Sequence, residues 1–237
     1  MNGETFQRAR TPAQRAQRVG AVLAATRRLL VDADVTTLSL GAISREAGLA
    51  SSNVLRYFGS REGLLLDLMD AEYARWLPDL DATFGEEEAD GDIDRIAATV
   101  AAALAARPLL SRLIAASAEL LRYPMPDEAL ERCRGQGRRN QAELARILSG
   151  AFEVTLSVQE QAYLVAGLHA VVAAASGWSA QAAFPVDFET AARSLLAIQF
   201  QGLVVRTGHA GTMGSPRGRD GSQGNRHRGD AHADRKR

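Results

Sequence analysis

Cysteine, aromatic residues and long apolar runs are scarce in this sequence of 237 residues. Its single cysteine, Cys133, excludes a disulfide within the chain and cannot hold a zinc ion alone. Because no stretch reaches about 18 uncharged apolar residues, we expect no membrane-spanning helix. The first residues are polar and charged and lack the apolar core of a secretion signal. These absences favour a cytoplasmic protein.

The motifs by which most enzymes are recognised are absent as well. We find no glycine-rich phosphate-binding loop, no cluster of His, Cys and Asp with metal-ligand spacing, and no nucleophile motif. We therefore expect no catalytic residue, no metal site and no cofactor, and we treat a helical enzyme as the least favoured alternative.

What is present indicates an all-α protein. Alanine and leucine are abundant, aromatic residues make up 5%, and β-branched residues form no alternating runs. The apolar periodicity predicts about nine helices and no strand, in one large domain or two modest ones. We expect Thr11, Ser60, Asp92 and Ser157 to cap helices, and Pro78 to kink or split the fourth helix.

The charge is balanced overall but unevenly distributed. The segment up to Arg61 contains nine basic and four acidic residues, and the segment from residue 207 onward contains seven basic and three acidic residues. Between these ends, 12 basic residues stand against 21 acidic ones. A basic N-terminal segment followed by an acidic region favours an N-terminal module that binds nucleic acid. Neutralisation of phosphates by basic side chains supplies most of the non-specific affinity for nucleic acid. Ordinary charged helix surfaces would produce a similar asymmetry.

Two short helices joined by a glycine are predicted within residues 38–62. The first has an apolar stripe at helical spacing, formed by Leu40, Ile43 and Ala47. Thr37 or Ser39 would cap this helix, and Gly48 would end it in a left-handed conformation. Ser51 or Ser52 would cap the second helix. This is the helix-turn-helix pattern, whose second helix can enter the major groove of DNA.

The block TLSLGAISREAGLASSNVLRYF, followed by SREGLLLDLM, resembles the TetR family of transcriptional regulators. Residues 47–50, 57–58 and 60–62 stand where that family has its AGVS, aromatic and S-K-E motifs. The resemblance implies a DNA-binding domain at residues 11–70 and a helical ligand-binding and dimerisation domain at 71–207. Residues 208–237 are basic and lack apolar periodicity, so we expect a disordered tail.

Three positions depart from the family pattern, because Ala50 replaces a frequent serine, Ser51 a frequent lysine and Leu55 a frequent tyrosine. Each departure removes a phosphate contact, which moves the expected specificity onto Asn53 and Arg56. Asparagine can pair with adenine and arginine with guanine, although either side chain could instead contact phosphate or face water.

Further contacts are expected with the DNA backbone. Ser51 and Ser52 would lie at a helix N-terminus, a position that favours phosphate oxygens. Arg61 resembles the family's phosphate-anchoring lysine. The complete set of predicted DNA contacts is Ser39, Ser44, Ala50, Ser51, Ser52, Asn53, Leu55, Arg56, Tyr57 and Arg61.

The C-terminal region carries fewer signals. Cys133, between two arginines, is either a redox sensor with a depressed pKa or a silent thiol. His169 is expected to be packed rather than ligand-binding. The apolar helices near residues 157–176 and 188–206 suit a four-helix dimer interface, although packing within one core would use the same pattern. An effector pocket could be lined by Trp76, Leu80, Phe84, Leu113, Ser117, Leu120 and Trp178.

Together these features predict a homodimeric repressor that binds a palindromic operator in double-stranded DNA. A two-fold operator needs a two-fold protein, and the C-terminal region would bind a small-molecule effector whose identity the sequence does not disclose. The alternative is a helix-turn-helix regulator that is controlled by a protein partner or is not regulated at all. No membrane contact is expected.

Overall fold

A computed structural model describes residues 11–86, 91–181 and 186–212 of the chain, with side chains up to Arg206. Within these ranges the chain forms nine helices and no strand, which confirms the all-α prediction. The helices are α1 (Pro12–Leu29), α2 (Leu40–Glu46), α3 (Ser51–Phe58), α4 (Arg61–Glu86), α5 (Ile93–Ala105), α6 (Pro108–Leu120), α7 (Asp127–Phe152), α8 (Val158–Ser179) and α9 (Phe188–Thr212).

Side chains within one turn explain most of the helix starts. The Thr11 hydroxyl accepts a hydrogen bond from the backbone N–H of Gln14, and Ser39 rather than Thr37 caps α2. Ser60 Oγ accepts from the backbone N–H of Gly63 at 2.9 Å. Asp92 caps α5, and Ser157 caps α8 in a reciprocal box with a glutamate. The predicted caps of these helices are confirmed.

Several helix ends differ from the predictions. The N-cap of α3 is Ala50, so the prediction that Ser51 or Ser52 caps this helix is wrong. Pro78 lies inside α4 without splitting it. Helix α9 continues to Thr212, so residues 208–212 of the predicted tail are helical. Residues 1–10 and 213–237, where we expected an arm and the rest of the tail, lie outside the described residues.

Two apolar clusters hold the helices together. The first joins α1–α4 and includes Ile43, Val54 and Phe58, all fully buried. The second joins the later half of α4 with α5–α9 around Trp76 and Phe200. Helix α6 contributes to both clusters, and its Arg112 guanidinium donates to the carbonyl oxygens of Leu30, at 2.6 Å, and Ala33. The two clusters therefore share structural elements.

Helix α8 is long and apolar, and much of it is exposed. By length and composition alone it could cross a membrane, which the sequence criterion did not anticipate, and 22% of its most apolar window is buried. One such helix is weak evidence for a membrane span. Its exposed side chains include Val158 and Tyr163. Residues 11–86, 91–181 and 186–212 thus leave apolar side chains of this helix exposed.

Candidate nucleic-acid interface

The outward face of α3 is formed by four exposed side chains, those of Ser51, Ser52, Leu55 and Arg56. Their spacing places them on one side of the helix, opposite the side chains that enter the core. Asn53 is half-buried at the edge of this face. The helix therefore presents two short hydroxyls, one apolar side chain and one guanidinium group to its surroundings.

The N-terminus of α3 has no side-chain cap among the described residues. Its cap residue is Ala50, whose carbonyl oxygen accepts from the N–H groups of Asn53 and Val54 at 2.9 and 3.3 Å. Capping therefore does not occupy the hydroxyls of Ser51 and Ser52. Uncapped N–H groups and the positive end of the helix dipole attract phosphate oxygens.

A cluster of arginines surrounds the Tyr57 ring. The Arg56 Cζ lies 5.5 Å from the ring centroid, and the Cζ of Arg15 in α1 lies 5.6 Å from it, both within cation–π range. Burial raises the pKa of Tyr57, but the guanidinium groups of Arg56 and Arg18 lower it by more. Arg15 and Arg18 thus join the basic surface at α3. Sequence reasoning missed them, although their spacing near the start of α1 places both on one helix side.

Arg61 ties the start of α4 to the connector before α2. Its Nε donates to the carbonyl oxygen of Leu38 at 2.5 Å, and its Nη2 donates to those of Val35 and Thr36 at 2.6 and 2.7 Å. Nη1 pairs with Glu62 at 3.1 Å, and only 18% of the side chain is exposed. These contacts engage all three guanidinium nitrogens and use four of the five N–H groups of Arg61 within the protein.

The remaining predicted backbone contacts differ in accessibility. Ser39 is exposed, and its oxygen accepts from the Ala42 N–H, which leaves the hydroxyl proton available to donate. Ser44 is only 4% exposed, and Tyr57 is 5% exposed. Neither hydroxyl oxygen has a hydrogen-bond partner within the described part of the chain. Ser44 and Tyr57 therefore lie beneath the outward surface.

The turn between α3 and α4 depends on two glycines. Gly59 has a φ of 80°, a left-handed conformation that side chains rarely adopt. Gly63 stands three residues after the Ser60 cap, where a capping box would carry glutamate or glutamine. A Cβ at this position would collide with the carbonyl oxygen of Phe58. This close approach explains why the capping box is incomplete.

A cavity of about 230 Å³ lies between α4, α6, α7 and α8. Asp70 lines it and accepts a hydrogen bond from Asn140 Nδ2 at 2.8 Å. The buried Oε1 of Gln136 has no hydrogen-bond partner among the described residues. His169 lies at the wall with its Nε2 2.6 Å from the Tyr73 hydroxyl, and burial lowers its pKa. The full lining is Leu66, Met69, Asp70, Ser117, Leu121, Cys133, Arg134, Gln136, Gly137, Asn140 and His169.

The residues predicted to line an effector pocket do not converge on this cavity. Only Ser117 lines it. Trp178 is 40% exposed, and Phe84 is partly buried against the second apolar cluster. The others are buried in the two clusters, Trp76 and Leu80 in the second, Leu113 and Leu120 in the first.

The environment of Cys133 excludes a depressed pKa. Burial and the nearby carboxylate of Asp67 raise the pKa of the thiol to about 11. The redox-sensor alternative, which required a lowered pKa, is therefore wrong. Across residues 11–86, 91–181 and 186–206, no group of three or more His, Cys, Asp and Glu side chains could hold a metal ion.

Family models match most of the chain. A model described as bacterial regulatory proteins of the tetR family matches residues 22–68, and one described as a tetracyclin repressor-like C-terminal domain matches residues 70–207. No curated protein matches the sequence significantly.

Solved structures share the fold at low sequence identity. A TetR transcriptional regulator from Rhodococcus sp. RHA1 is 18% identical, with a TM-score of 0.58 over 82% of this chain and 98% of that chain. The fatty acid degradation regulator FadR from Bacillus halodurans is 14% identical, with a TM-score of 0.53 over 83% and 98%. FadR from Bacillus subtilis, solved with stearoyl-CoA, is 15% identical, with a TM-score of 0.53 over 77% and 98%.

Proposed function

The chain belongs to the TetR family of bacterial transcriptional regulators, and we propose that it is a cytoplasmic, ligand-responsive repressor that binds a palindromic operator as a homodimer. The outward face of α3 is the observation that carries this proposal. Its exposed side chains are needed neither for the core nor for capping, and they have the chemistry that DNA recognition requires.

The proposed roles follow from the exposure of each side chain. Arg56 would pair with the O6 and N7 of a guanine, and Leu55 would contact a thymine methyl group. Ser51 and Ser52 would bind phosphate at the uncapped helix end. Asn53, half-buried at the edge, would reach an adenine only from the flank of the helix.

Arg61 supports DNA binding in a different way from the one its family resemblance implies. Its guanidinium group holds the connector of residues 35–38 against the start of α4. We therefore assign it a positioning role, in which it fixes the helix-turn-helix rather than neutralises a phosphate.

Dimerisation is proposed through α8 and α9. Both helices expose large apolar side chains, with Tyr163 51% exposed on α8 and Ile198 71% exposed on α9. Val205, at 46%, lies seven residues after Ile198 and so on the same side of α9. Large apolar side chains exposed on neighbouring helices are typical of protein–protein contact sites, and a two-fold contact would present two α3 helices to two half-sites.

The cavity is the proposed effector site. Its exposed walls are mostly apolar, and its polar lining contains donors such as Arg134 as well as acceptors. The acceptor left without a partner among the described residues is the buried Oε1 of Gln136. At about 230 Å³ it is smaller than the pockets of about 300–1,000 Å³ that enclose drug-sized ligands. We therefore propose a compact, mostly apolar effector with a hydrogen-bond donor, smaller than the stearoyl-CoA that occupies the Bacillus subtilis FadR.

The Arg56→Ala variant tests the proposed DNA interface. We expect its affinity for the operator in the protein's own upstream DNA to fall about tenfold or more, because a bidentate arginine–guanine pair contributes about 1–3 kcal/mol. Arg122→Ala is the control, since it also removes an exposed arginine, just after the end of α6, where Arg122 pairs with Glu119. Gel-shift titration measures both affinities, and thermal denaturation establishes that both variants fold. An unchanged affinity for Arg56→Ala would remove it from the interface.

A further inference from the structure

Helix α7 contacts both the cavity and the end of the recognition helix α3. At its start, Pro126 and Ala129 pack against Gly59, the residue that follows α3. A Cβ on Gly59 would lie 2.8 Å from the Ala129 Cβ and 3.3 Å from the Pro126 Cγ. The two elements are in close contact at this point, so a shift of α7 towards Gly59 would displace the end of α3, and a shift away would remove its support.

Arg132 reinforces this contact by joining three helices. Its Nη2 donates to the carbonyl oxygen of Phe58, the last residue of α3, at 3.1 Å. Its Nε donates to both carboxylate oxygens of Asp67 in α4, at 3.2 and 3.1 Å. The Asp67 side chain is only 10% exposed, so water offers this carboxylate little alternative solvation.

The same side of α7 borders the cavity. Arg132, Gln136 and Asn140 follow one another at intervals of four residues and so form one stripe along the helix. Gln136 and Asn140 line the cavity, and Cys133 lines it beside Arg132. A molecule in the cavity would therefore touch residues within one turn of the Arg132 guanidinium.

We propose that Arg132 is the positioning residue through which occupancy of the cavity controls the recognition helix. The proposal rests on the function proposed above and names its route of regulation. In the DNA-binding state Arg132 holds Phe58 against α4 and α7. A molecule that fills the cavity displaces the first turns of α7, draws Arg132 away from Phe58 and releases the end of α3. Such coupling requires that the molecule prefer the displaced state.

A side chain can take the place of the unidentified effector. Ser117 is buried on α6 and lines the cavity, so a larger side chain there must occupy it. Ala118, the next residue, is exposed. We expect Ser117→Leu to lower operator affinity about tenfold, within the usual range of allosteric coupling, and Ala118→Leu to leave it unchanged.

The decisive measurement is a double-mutant cycle on operator affinity. Arg132→Met should weaken binding about tenfold by itself, and adding Ser117→Leu should cause no further loss, because the route is already broken. Arg132→Lys keeps the positive charge beside Asp67. Its ammonium group lacks the planar guanidinium geometry that lets Arg132 donate to Asp67 and to the Phe58 carbonyl oxygen together. We expect Arg132→Lys to keep the wild-type melting temperature and still to abolish the effect of Ser117→Leu on operator affinity. If Arg132 only stabilised the fold, a variant with an unchanged melting temperature would leave that effect intact. This variant also carries the test if Arg132→Met fails to fold.

The outcomes separate this inference from the proposed function. If the wild-type protein binds no operator, the proposed function itself fails. If the wild type binds and Ser117→Leu weakens binding equally with and without Arg132, the route through Arg132 is overturned while the repressor proposal stands. The absence of any effect of Ser117→Leu in the wild-type background would overturn the route as well.

Discussion

The outward faces of α3 and of the α8–α9 pair differ in chemistry although the described part of the chain leaves both exposed. Helix α3 exposes two hydroxyls and a guanidinium group beside one leucine, whereas α8 and α9 expose Tyr163, Ile198 and Val205. Water solvates the first surface well until phosphate and base edges replace it. Burial of the second surface against another apolar surface is favourable, because it removes apolar side chains from water. This difference underlies the two partners that we propose, DNA for the first face and a second copy of the chain for the other.

The largest expected effect tests the apolar face. Ile198→Glu places a charge at the centre of the proposed interface, where it would be buried without a partner. We expect the dimer to dissociate and operator affinity to fall more than about 100-fold, because each half-site would then be bound separately. Sedimentation velocity reports the oligomeric state. Val31→Glu, at a 75% exposed valine outside these helices, should remain dimeric.

A smaller effect is expected at the scaffold beneath the polar face. Gly63→Ala places a methyl group against the Phe58 carbonyl oxygen, which must move. We expect a loss of about 1–3 kcal/mol in the free energy of unfolding, the usual cost of overpacking. Gly20→Ala is the control, since its Cβ would meet open space in α1 and should stabilise the helix by about 0.5–1 kcal/mol. Urea denaturation measures the free energy of unfolding of both variants. Equal values would contradict the close approach of residue 63 to the Phe58 carbonyl oxygen.

Leu55 offers a finer test of the polar face. We expect Leu55→Ala to weaken operator binding about threefold, because it removes apolar contact with a single methyl group. Replacing operator thymines one at a time by deoxyuridine removes those methyl groups from the DNA. One replacement should weaken the wild-type protein and leave Leu55→Ala unaffected. If every replacement acts equally on both proteins, Leu55 does not contact a thymine methyl.

The smallest effect concerns Cys133. With a pKa of about 11, only about a thousandth of the thiol is ionised at pH 8, so alkylation by iodoacetamide should be slow in the native protein. The folded-state pKa lies above the unfolded value of about 8.5, so the associated stability is present below pH 8.5 and is lost as the pH rises towards 11. Cys133→Ser should bind the operator like the wild type. Rapid labelling at pH 8 would contradict the burial.

Features decided within one helical turn were predictable from the sequence. The caps at Thr11, Ser39 and Ser60 follow from residues at most three positions away, and the structure confirms them. The α3 cap shows a failure of the same rule, because the helix starts one residue earlier than its serines suggested and Ala50 takes the position. Local chemistry thus locates the helix-turn-helix and misses only its register.

Features that depend on distant contacts were not predictable. The carbonyl oxygens that accept from Arg61 lie 23 to 26 residues earlier in the chain, so no local pattern indicated these protein partners. The predicted phosphate contact of Arg61 stays a prediction. The cavity forms where the polar stripe of α7 meets α4. In the sequence, Gln136 and Asn140 look like surface residues of a polar helix. Only the arrangement of both helices shows that they line a cavity.

Hydroxyl-radical footprinting of the wild-type protein on its own upstream DNA tests the central claim most directly. Two recognition helices on a two-fold dimer should protect two symmetric half-sites in successive major grooves, about 10 base pairs apart or a multiple of that distance. At a protein concentration near the wild-type dissociation constant, protection should fall strongly with Arg56→Ala and persist with Arg122→Ala. Protection of one unsymmetric site, or of no site, would contradict a dimeric repressor that reads DNA through α3.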